Sequence, residues 1–385
     1  SSAASDVYKR QPNKLLEYTY GPFPHIPMDG IGIFQGRSCV NSHILVLNYN
    51  GQHLLAECLP SIVAAAREVP DCAVSVVDNG SVDSSLDWLH RNWPEIKVFR
   101  CSNHGLASYN TVVKKIDTSI VFLLNNDVKL APGFVQPMLK HFARDPDCFL
   151  AAPLCWDFSG CHYEGMRTRV RFRRGLVQAS TRFPGYESLI HQEGWTASAG
   201  PVLAVDRNKF LQLGGYDLLF HPGRLEDLDL CYRAWLNGWT SHYVPDATAY
   251  HKGFGSFEPA FGVDGCELLA QRNTLLFIWK NIRGLNRLAN HAAIVPLRLL
   301  HSVLSAFWTA GPRRLLFLKA LIAALPRLPS ALKRRRNGIS PEPKIDCQLD
   351  VKSKRQIRRQ LQEGEEDFFE RFSWLPAPSL TTESN

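Results

Sequence analysis

The sequence predicts an α/β fold with a Rossmann-like, mostly parallel sheet, flanking helices and amphipathic helices near the C-terminal end. From His43 onward, short apolar runs alternate with longer stretches of helical spacing. The runs are apolar at nearly every residue, which is typical of strands buried on both faces of a parallel sheet. Beyond residue 285 the helical stretches are both apolar and basic, so we treat them as a separate segment.

Four apolar runs are predicted strands, and the stretches between them are predicted helices. The strands are HILVLN, AVSVVD, IKVFR and SIVFLL, and the helices are HLLAECLPSIVAAAREV, SSLDWLHRNW and HGLASYNTVVKKI. This alternation implies parallel strands with helices on both faces of the sheet. Strict alternation ends after Pro146, and residues 155–198 are predicted to form loops and hairpins around a second-substrate pocket. A further strand, AGPVLAVDR, and a helix over 226–237 follow.

These patterns divide the chain into four parts. The first is an N-terminal extension whose opening SSAASDVYKRQ has no core pattern, and the last is a polar tail. Between them lie the main domain, with a nucleotide-binding half and an acceptor half, and a basic amphipathic segment. The predicted boundaries are 1–40, 41–285 (halves 41–150 and 151–285), 286–337 and 338–385.

Composition limits the possible partners. With 385 residues and 45% hydrophobic content, the chain can bury a large core. The net charge of +8 is mild, and part of it comes from the run Lys333–Arg336. A nucleic-acid binder would be expected to carry a broader basic stripe, so we predict no nucleic-acid partner. A clustered patch suits a negatively charged membrane surface better, with contact through 291–336.

The cysteines and the N-terminal sequence lead to an expectation about location. None of the ten cysteines falls into a C-x-x-C pair, and several lie inside apolar runs, where a free buried thiol is expected. We therefore expect a reducing compartment. No secretory signal pattern is visible before Val40. The predicted location is the cytoplasm, peripheral on the inner face of the cell membrane.

Polar residues follow three of the predicted strands at the point where each strand ends. They are Asn48–Gly51, Asp78–Ser81 and Asn125–Asp127. Ligands of open α/β sheets bind outside the carboxyl ends of the strands, so these clusters should meet at one edge. Asp78 can accept hydrogen bonds from a nucleobase or ribose, or it can simply shape an Asn-Gly turn. The oxygens of Asn125–Asp127 suit Mg²⁺ or Mn²⁺, although the same residues could form an ordinary strand-to-helix turn.

Besides Asp78 and Asp127, the sequence has a group of acids at the start of the predicted helix that follows residue 225. Glu226, Asp227 and Asp229 lie in its first turn, where acids stabilise any helix through the macrodipole. Asp229 and Arg233 also have the i,i+4 spacing of an ion pair. Adjacent acids after a Gly-Arg loop are equally suited to supply a general base. His251 is a candidate metal ligand or a structural histidine.

In this order, the motifs resemble those of the family 2 inverting glycosyltransferases of the GT-A fold, particularly the bacterial rhamnosyltransferase-like branch. The resemblance covers residues 43–281 and rests on LVLNYNG, VVDNGSVD, NHGLASYN, LLNNDV, LGGYD, LEDLDLCYRAWLNGW, VPDATAYHKG and QRNTLLFIWKN. It implies that a divalent ion, Mg²⁺ or Mn²⁺, assists transfer of one sugar from a nucleotide-diphosphate sugar to a glycan or lipid-linked acceptor.

The resemblance also implies roles for individual residues. Asp227 is the expected base, with Glu226 beside it. The expected donor-binding residues are Asn48, Asn50, Asp78, Gly80, Asn103, Gly105, Asn110 and Asn126. The expected metal site consists of Asp127, Asn125 and His251. The acceptor-side or supporting residues are Arg233, Trp195 and Asp217.

The sequence departs from the family pattern in two places. Asn125 stands where the metal motif often has its first Asp, and the stretch 218–225 lacks the family's usual acid after Asp217 and its aromatic residue directly before the Glu226–Asp227 pair. The Gln-x-x-Arg-Trp signature of processive synthases is absent, which favours transfer of a single sugar. Two other functions remain open: a non-catalytic nucleotide-sugar-binding protein, and a sugar nucleotidyltransferase, whose Gly-rich phosphate loop is missing after the first strand. The sequence leaves the sugar, nucleotide, linkage and oligomeric state open.

Overall fold

A computed structural model describes residues 41–253, 257–308, 315–337 and 351–374. The predicted N-terminal extension, 1–40, lies outside these residues, as do 338–350 and 375–385 of the predicted polar tail. Among the described helices, none is both long and apolar enough to cross a membrane.

The first part of the chain has the predicted strand-helix alternation. Its elements are β1 (Ser42–Asn48), α1 (Gln52–Arg67), β2 (Cys72–Asp78), α2 (Ser85–Asn92), β3 (Lys97–Arg100), α3 (Tyr109–Val113) and β4 (Ile120–Asn125). The predicted third helix is short, because residues Gly105–Ser108 form a 3₁₀ turn before α3.

The middle part contains the strands and hairpins that complete the sheet. Its elements are β5 (Val128–Leu130), α4 (Val135–Arg144), β6 (Cys148–Asp157), β7 (Tyr163–Gly165), β8 (Arg169–Arg173), β9 (Leu176–Ser180), β10 (Gly194–Trp195), β11 (Val202–Asp206), α5 (Arg207–Gln212), α6 (Glu226–Leu236) and β12 (Thr240–His251). The last part is helical, with α7 (Phe257–Asn281), α8 (Leu285–Ser305), α9 (Leu316–Ala324), α10 (Leu328–Asn337) and α11 (Val351–Arg371).

The main sheet confirms the predicted α/β class. Its order is β10-β12-β6-β11-β4-β1-β2-β3, with β5 paired to β12 and β7 to β6. The first four strands, β1 to β4, are parallel to one another. Strand β11 lies between β4 and β6 and is antiparallel to both, so β6 has the same direction as β4. Strand β12 is parallel to β6. In this register Asn48 is paired with Asp78, and Leu47 with Asn125. The three polar clusters therefore reach the same edge.

The core of the sheet explains why the strands could be identified from sequence. Ile44, Leu45 and Val46 of β1 are at most 1% exposed, and β4 is buried at every residue from Ile120 to Leu124. Burying one such aliphatic side chain contributes about 1.5–3 kcal/mol. A second apolar cluster joins α6, α7, α9 and α11 around Tyr232, Phe277 and Phe368. Part of the C-terminal helical segment thus packs onto the main domain.

The described part of the predicted polar tail, 338–385, consists of helix α11 and the residues that directly follow it. Helix α11 buries Leu361, Glu365, Phe368 and Phe372, which recur at helical spacing. The rings of Phe368 and Phe372 contact Tyr232 and Trp235 of α6, with centroids 5.0 and 5.2 Å apart respectively. Charged residues lie between these apolar positions in the sequence, so the segment is polar in its overall composition although one side of the helix is buried.

Candidate active site

Three side chains join the ends of β1, β2 and β4 directly. Asn48 Nδ2 donates to Asp78 Oδ1 at 3.3 Å, and Asn126 Nδ2 donates to Asn48 Oδ1 at 2.8 Å. A Cβ atom on Gly51 would overlap the Asn126 amide, so the loop after β1 needs glycine at this position. The convergence of the three polar clusters, expected from the sheet topology, is present.

Asp78 is fully buried, and both of its carboxylate oxygens are engaged within the protein. Oδ2 accepts from the backbone N–H groups of Gly80 and Ser81, at 3.2 and 3.0 Å, and Oδ1 accepts from the Ser81 hydroxyl. These contacts match the turn-forming alternative. Asn50 also orders this loop, because its Oδ1 accepts from Val82 N–H at 2.8 Å. In this arrangement the Asp78 carboxylate shapes the loop, and its direct contact with a nucleotide stays a prediction.

The segment from Asn103 to Asn110 contacts the chain before α6. Asn103 Oδ1 accepts from Gly105 N–H at 3.1 Å, which closes the turn. Asn110 donates to Tyr216 O at 2.8 Å and accepts from Tyr216 N–H at 2.9 Å. The amide of Asn110 is therefore occupied by the LGGYD loop, and its role in this structure is to hold that loop against α3.

His251 lies between two acids, Asp127 and Glu164. The sequence analysis identified Asp127 and His251 but missed Glu164. His251 Nε2 is 3.4 Å from Asp127 Oδ2, and Nδ1 is 3.5 Å from Glu164 Oε2. Burial alone would lower the pKa of His251, but the two carboxylates outweigh it and raise the pKa to about 9. Asp127 Oδ1 is buried without a hydrogen-bond partner. An unpartnered carboxylate oxygen is suited to a hard divalent cation.

The described side chains do not form a complete metal site by themselves. No group of three or more His, Cys, Asp or Glu residues within them is arranged to hold an ion. The remaining predicted ligand, Asn125, ends β4, and its backbone N–H donates to Pro201 O at 2.8 Å. A cation at Asp127 would therefore need further oxygen ligands, such as those of a diphosphate.

Glu226 and Asp227 begin α6, after Leu225 in a left-handed backbone conformation. Asp227 Oδ2 accepts from the Ser198 hydroxyl at 2.7 Å, and Oδ1 accepts from Leu228 N–H at 2.8 Å. Burial, followed by the charge of Asp227, raises the pKa of Glu226 to about 8, and burial also raises the pKa of Asp227. Hydrogen bonds to a carboxylate favour its charged form. The hydrogen bonds from Ser198 and Leu228 therefore favour the charged form of Asp227, whereas burial and the charge of Asp227 favour the protonated form of Glu226.

Glu226 lines a cleft between the 3₁₀ turn before α3 and the chain that leads into α6. The cleft is small and open to solvent, and its lining includes His104, Tyr216, Asp217, His221 and Glu226. His104 belongs to the predicted donor loop, and the others belong to the chain around α6. The cleft therefore brings donor-side and acid-bearing segments together.

Two residues of α7 fix the loop that precedes the acidic pair. Asn273 Nδ2 contacts the carbonyl oxygens of Phe220, Gly223 and Arg224 at 2.8–2.9 Å. Arg272 donates to His221 O at 2.8 Å. Both lie in the QRNTLLFIWKN motif, which was part of the resemblance without an assigned role. Their contacts set the entry angle of α6 and hence the position of Asp227.

The three predicted acceptor-side or supporting residues have different surroundings. Arg233 is buried, pairs with Asp229 at 2.8 Å, and donates to the carbonyls of Leu213 and Gly215, so it supports the fold. Trp195 packs on Trp235 of α6, and Arg371 of α11 stacks over its ring, which is also a supporting position. Asp217 lines the cleft and pairs with Lys280 and Arg334 at 2.8 and 2.9 Å.

Residues 43–186 match the model of glycosyl transferase family 2. The chain is 26% identical over 237 residues to N-acetylglucosaminyl-diphospho-decaprenol L-rhamnosyltransferase of Mycobacterium tuberculosis, an alignment that covers 54% of this chain and 75% of that protein. The matched domain includes the loops after β1, β2 and β4, whereas α6 lies beyond it.

Two solved structures match this chain with TM-scores below 0.5. One is GalNAc-T7 with UDP, GalNAc and Mn²⁺, with a TM-score of 0.49 and 19% identity, covering 64% of this chain and 48% of that chain. The other is the mannosyltransferase PcManGT from Pyrobaculum calidifontis with GDP-Man and Mn²⁺. Its TM-score is 0.47 and its identity 16%, covering 85% of this chain and 86% of that chain.

Proposed function

We propose that this chain, a glycosyltransferase with a family 2 domain at residues 43–186, transfers one sugar with inversion of its anomeric configuration. The donor is a nucleotide-diphosphate sugar, and the acceptor is a hydroxyl of a glycan or a lipid-linked saccharide. One observation supports the proposal: Glu226, which precedes Asp227 at the start of α6, lines a cleft together with His104 of the donor-side loop, and the pKa values of both acids are raised. A lipid-linked acceptor would be met at the inner face of the cell membrane.

In the proposed reaction, the acceptor oxygen attacks the anomeric carbon while the bond from that carbon to the diphosphate oxygen breaks. The acceptor hydroxyl loses its proton to the Asp227 carboxylate, and the nucleoside diphosphate leaves with the bonding electrons. Ser198 orients Asp227 through its 2.7 Å hydrogen bond. A single displacement of this kind inverts the configuration and needs no covalent intermediate.

A divalent metal is compatible with the residues at the end of β4. Asp127 would hold Mg²⁺ or Mn²⁺ through its unpartnered Oδ1, with His251 and Asn125 as candidate neighbours. When bound, the ion supplies positive charge that neutralises the diphosphate leaving group. Glu164 adds a second carboxylate on the other side of His251.

The proposal is tested by incubating the protein with Mn²⁺, a lipid-linked saccharide acceptor and separate uridine, thymidine and guanosine diphosphate sugars. The expected result is release of one nucleoside diphosphate and a product whose new glycosidic bond, determined by NMR, has inverted configuration. Retention of configuration contradicts the mechanism. Pyrophosphate release from a nucleoside triphosphate and a sugar phosphate indicates the nucleotidyltransferase alternative. Donor binding without turnover across a broad acceptor panel indicates a binding protein.

Donor binding should depend on Asp127 in the presence of metal. We expect the matching nucleoside diphosphate with Mn²⁺ to stabilise the wild type by about 2.7 kcal/mol at a hundredfold excess over Kd. Asp127→Asn should lose most of the Mn²⁺-dependent part, because it removes the charged ligand. Thermal unfolding with and without Mn²⁺ measures this, and Asp87→Asn, an exposed acid on α2, is the control. An equal metal-dependent shift in Asp127→Asn and the wild type contradicts the proposed metal site.

Ser198→Ala should change the pH dependence of transfer. Without the Ser198 hydroxyl, the charged form of Asp227 loses a hydrogen bond, so its pKa rises further and less base is ionised at low pH. A hydrogen bond to a charged group contributes about 1.5–3 kcal/mol, so we expect a loss of about tenfold or more in kcat/KM below pH 7. The loss should shrink as pH rises. The pH profile of kcat/KM checks this, with Ser198→Thr as the conservative variant that should restore the wild-type profile. A pH-independent loss would show that Ser198 acts only on structure.

A further inference from the structure

The C-terminal helical segment presents an apolar face to solvent. Helix α8 packs one side on the second core cluster through Leu288, Val295 and Leu299. Its opposite side carries large exposed side chains up to the turn that follows the helix, where Phe307 and Trp308 are 76% and 81% exposed. The exposed apolar residues of this face are Leu297, Leu300, Val303, Leu304, Phe307 and Trp308. We call these six residues the α8 face.

A second exposed stripe lies on the neighbouring helices. Helix α9 packs against α8, and exposed apolar side chains occur on α9 (Ile322), on the 3₁₀ turn that follows it (Leu325) and on α10 (Leu332). Contiguous exposed apolar residues of this kind mark a contact surface, in contrast to isolated exposed side chains such as Val82.

The segment that contains the α8 face has only positively charged Lys and Arg side chains and no acidic ones. Residues 285–337 contain ten Lys or Arg and no Asp or Glu. Arg298 lies within α8, and its Nε atom is buried without a hydrogen-bond partner among the described residues. The tip of the β8–β9 hairpin packs on the same helix, because His291 Nδ1 is 2.7 Å from Gly175 O. That tip adds exposed Arg173 and Arg174.

The exposed apolar side chains and the surrounding positive charge favour a lipid surface over a protein as the binding partner of the α8 face. A protein partner would need a complementary surface both apolar and rich in carboxylates. A leaflet of anionic lipids offers the same combination everywhere, with phosphates at the surface and acyl chains beneath. Aromatic residues at the end of an amphipathic helix suit the boundary between these layers, and arginine side chains extend to the headgroups.

We propose that the α8 face docks on a negatively charged lipid bilayer, with Phe307 and Trp308 entering the acyl boundary and the neighbouring arginines binding lipid phosphates. The inference deepens the proposed function and rests on it for the lipid-linked acceptor, since docking would bring the enzyme to that acceptor.

Sedimentation with vesicles tests the docking independently of catalysis. The full chain should bind vesicles of phosphatidylcholine mixed with phosphatidylglycerol, and high salt should weaken the binding. The double variant Phe307→Ser, Trp308→Ser should reduce the partition coefficient at least about tenfold, because it removes two large apolar side chains. The double variant Arg173→Gln, Arg174→Gln should reduce it about fivefold per arginine. Val82→Ser, which removes an equally exposed apolar side chain outside the surface, should bind as the wild type does.

Several outcomes would overturn the proposal. Equal binding of the aromatic double variant and the wild type rules out the α8 face, and equal binding to pure phosphatidylcholine rules out recognition of anionic lipid. If the wild type forms a dimer that the aromatic variant disrupts, and neither binds vesicles, the face is a contact between two copies. Transfer to a water-soluble acceptor, measured without vesicles, tests the proposed reaction separately. If the wild type binds vesicles but transfers no sugar to any acceptor, the proposed function is contradicted and the docking proposal is not.

Discussion

Replacing Asp227 with Asn should lower the rate of sugar transfer by about 10²- to 10⁴-fold, the usual contribution of a general base. The amide has nearly the same shape and can still accept from Ser198, but it cannot take the proton of the acceptor hydroxyl. Nucleotide binding should be retained, because the known contacts of the Asp227 carboxylate are with Ser198 and Leu228. Steady-state kinetics and calorimetric titration of the nucleoside diphosphate measure the two quantities separately.

Glu226→Gln is the matched control for this experiment. The raised pKa of Glu226, about 8, means that the wild-type side chain is protonated at pH 7, and glutamine resembles that neutral form. We expect Glu226→Gln to retain transfer within about tenfold at pH 7, far above Asp227→Asn. The opposite pattern, with Glu226→Gln inactive and Asp227→Asn active, would assign the base to Glu226, the acid that lines the cleft. Equal activity of all three proteins would remove both acids from the reaction.

The parts of the site predicted from sequence are those fixed by sheet topology. Parallel strands that end in polar residues must deliver them to one edge, so Asn48, Asp78 and Asn126 could be placed together without coordinates. The acids of α6 were also predicted, because Glu226 and Asp227 follow a loop and start an amphipathic helix. These inferences use spacing within a strand or helix, which the local sequence contains.

The missing parts depend on contacts between distant segments. Ser198 precedes β11, and Glu164 lies on the three-residue strand β7; neither position has a periodic pattern. Ser198 becomes significant only because its hydroxyl meets Asp227, 29 residues later. Glu164 becomes significant because β7 pairs with β6, which places it near His251. The irregular segment 155–198 could not be folded by pattern, so these partners could not be found.

Sequence also left the purpose of individual polar residues undecided. Asp78 was predicted to bind the nucleotide, but its two oxygens are engaged by Gly80 and Ser81. Asn110 and Arg233 likewise hold backbone carbonyls of the 213–216 loop. A side chain that recognises a ligand and one that braces the loop around it use the same donors and acceptors. Their difference is a matter of orientation, which spacing does not specify.

Asp229, two residues after Asp227, has a structural role, and we expect its replacement to lower the stability of the protein strongly. Asp229 is fully buried and receives Lys280 Nζ at 2.6 Å, Arg233 Nε at 2.8 Å and Asn281 Nδ2 at 2.8 Å. Lys280 also pairs with Asp217 at 2.8 Å. The cluster joins α6, which carries the proposed base Asp227, to α7 and to the rim of the cleft. Lys280 and Arg233 hold the pKa of Asp229 down to about 2, even though burial alone would raise it.

Asp229→Asn should therefore destabilise the protein by about 3–5 kcal/mol, the cost of removing one partner from a buried ion cluster. Arg233 and Lys280 would stay buried with too little negative charge beside them. Urea unfolding at pH 7 measures the change. The control is Glu363→Gln, which breaks another i,i+4 pair, with Arg359 on α11, whose side chains are 82% and 61% exposed. Such an exposed pair contributes about 0.3–0.5 kcal/mol.

The pH dependence gives the same prediction a second readout. Because the folded-state pKa of Asp229 is depressed, the cluster stabilises the protein above the unfolded pKa near 4, and this contribution disappears as pH falls toward 2. The difference in stability between the wild type and Asp229→Asn should shrink over that interval, while Glu363→Gln should follow the wild type. A loss no larger than that of Glu363→Gln at pH 7 would mean that the buried cluster contributes no more than a surface pair. In that case, its value to the enzyme would lie in orienting α6 and Asp227.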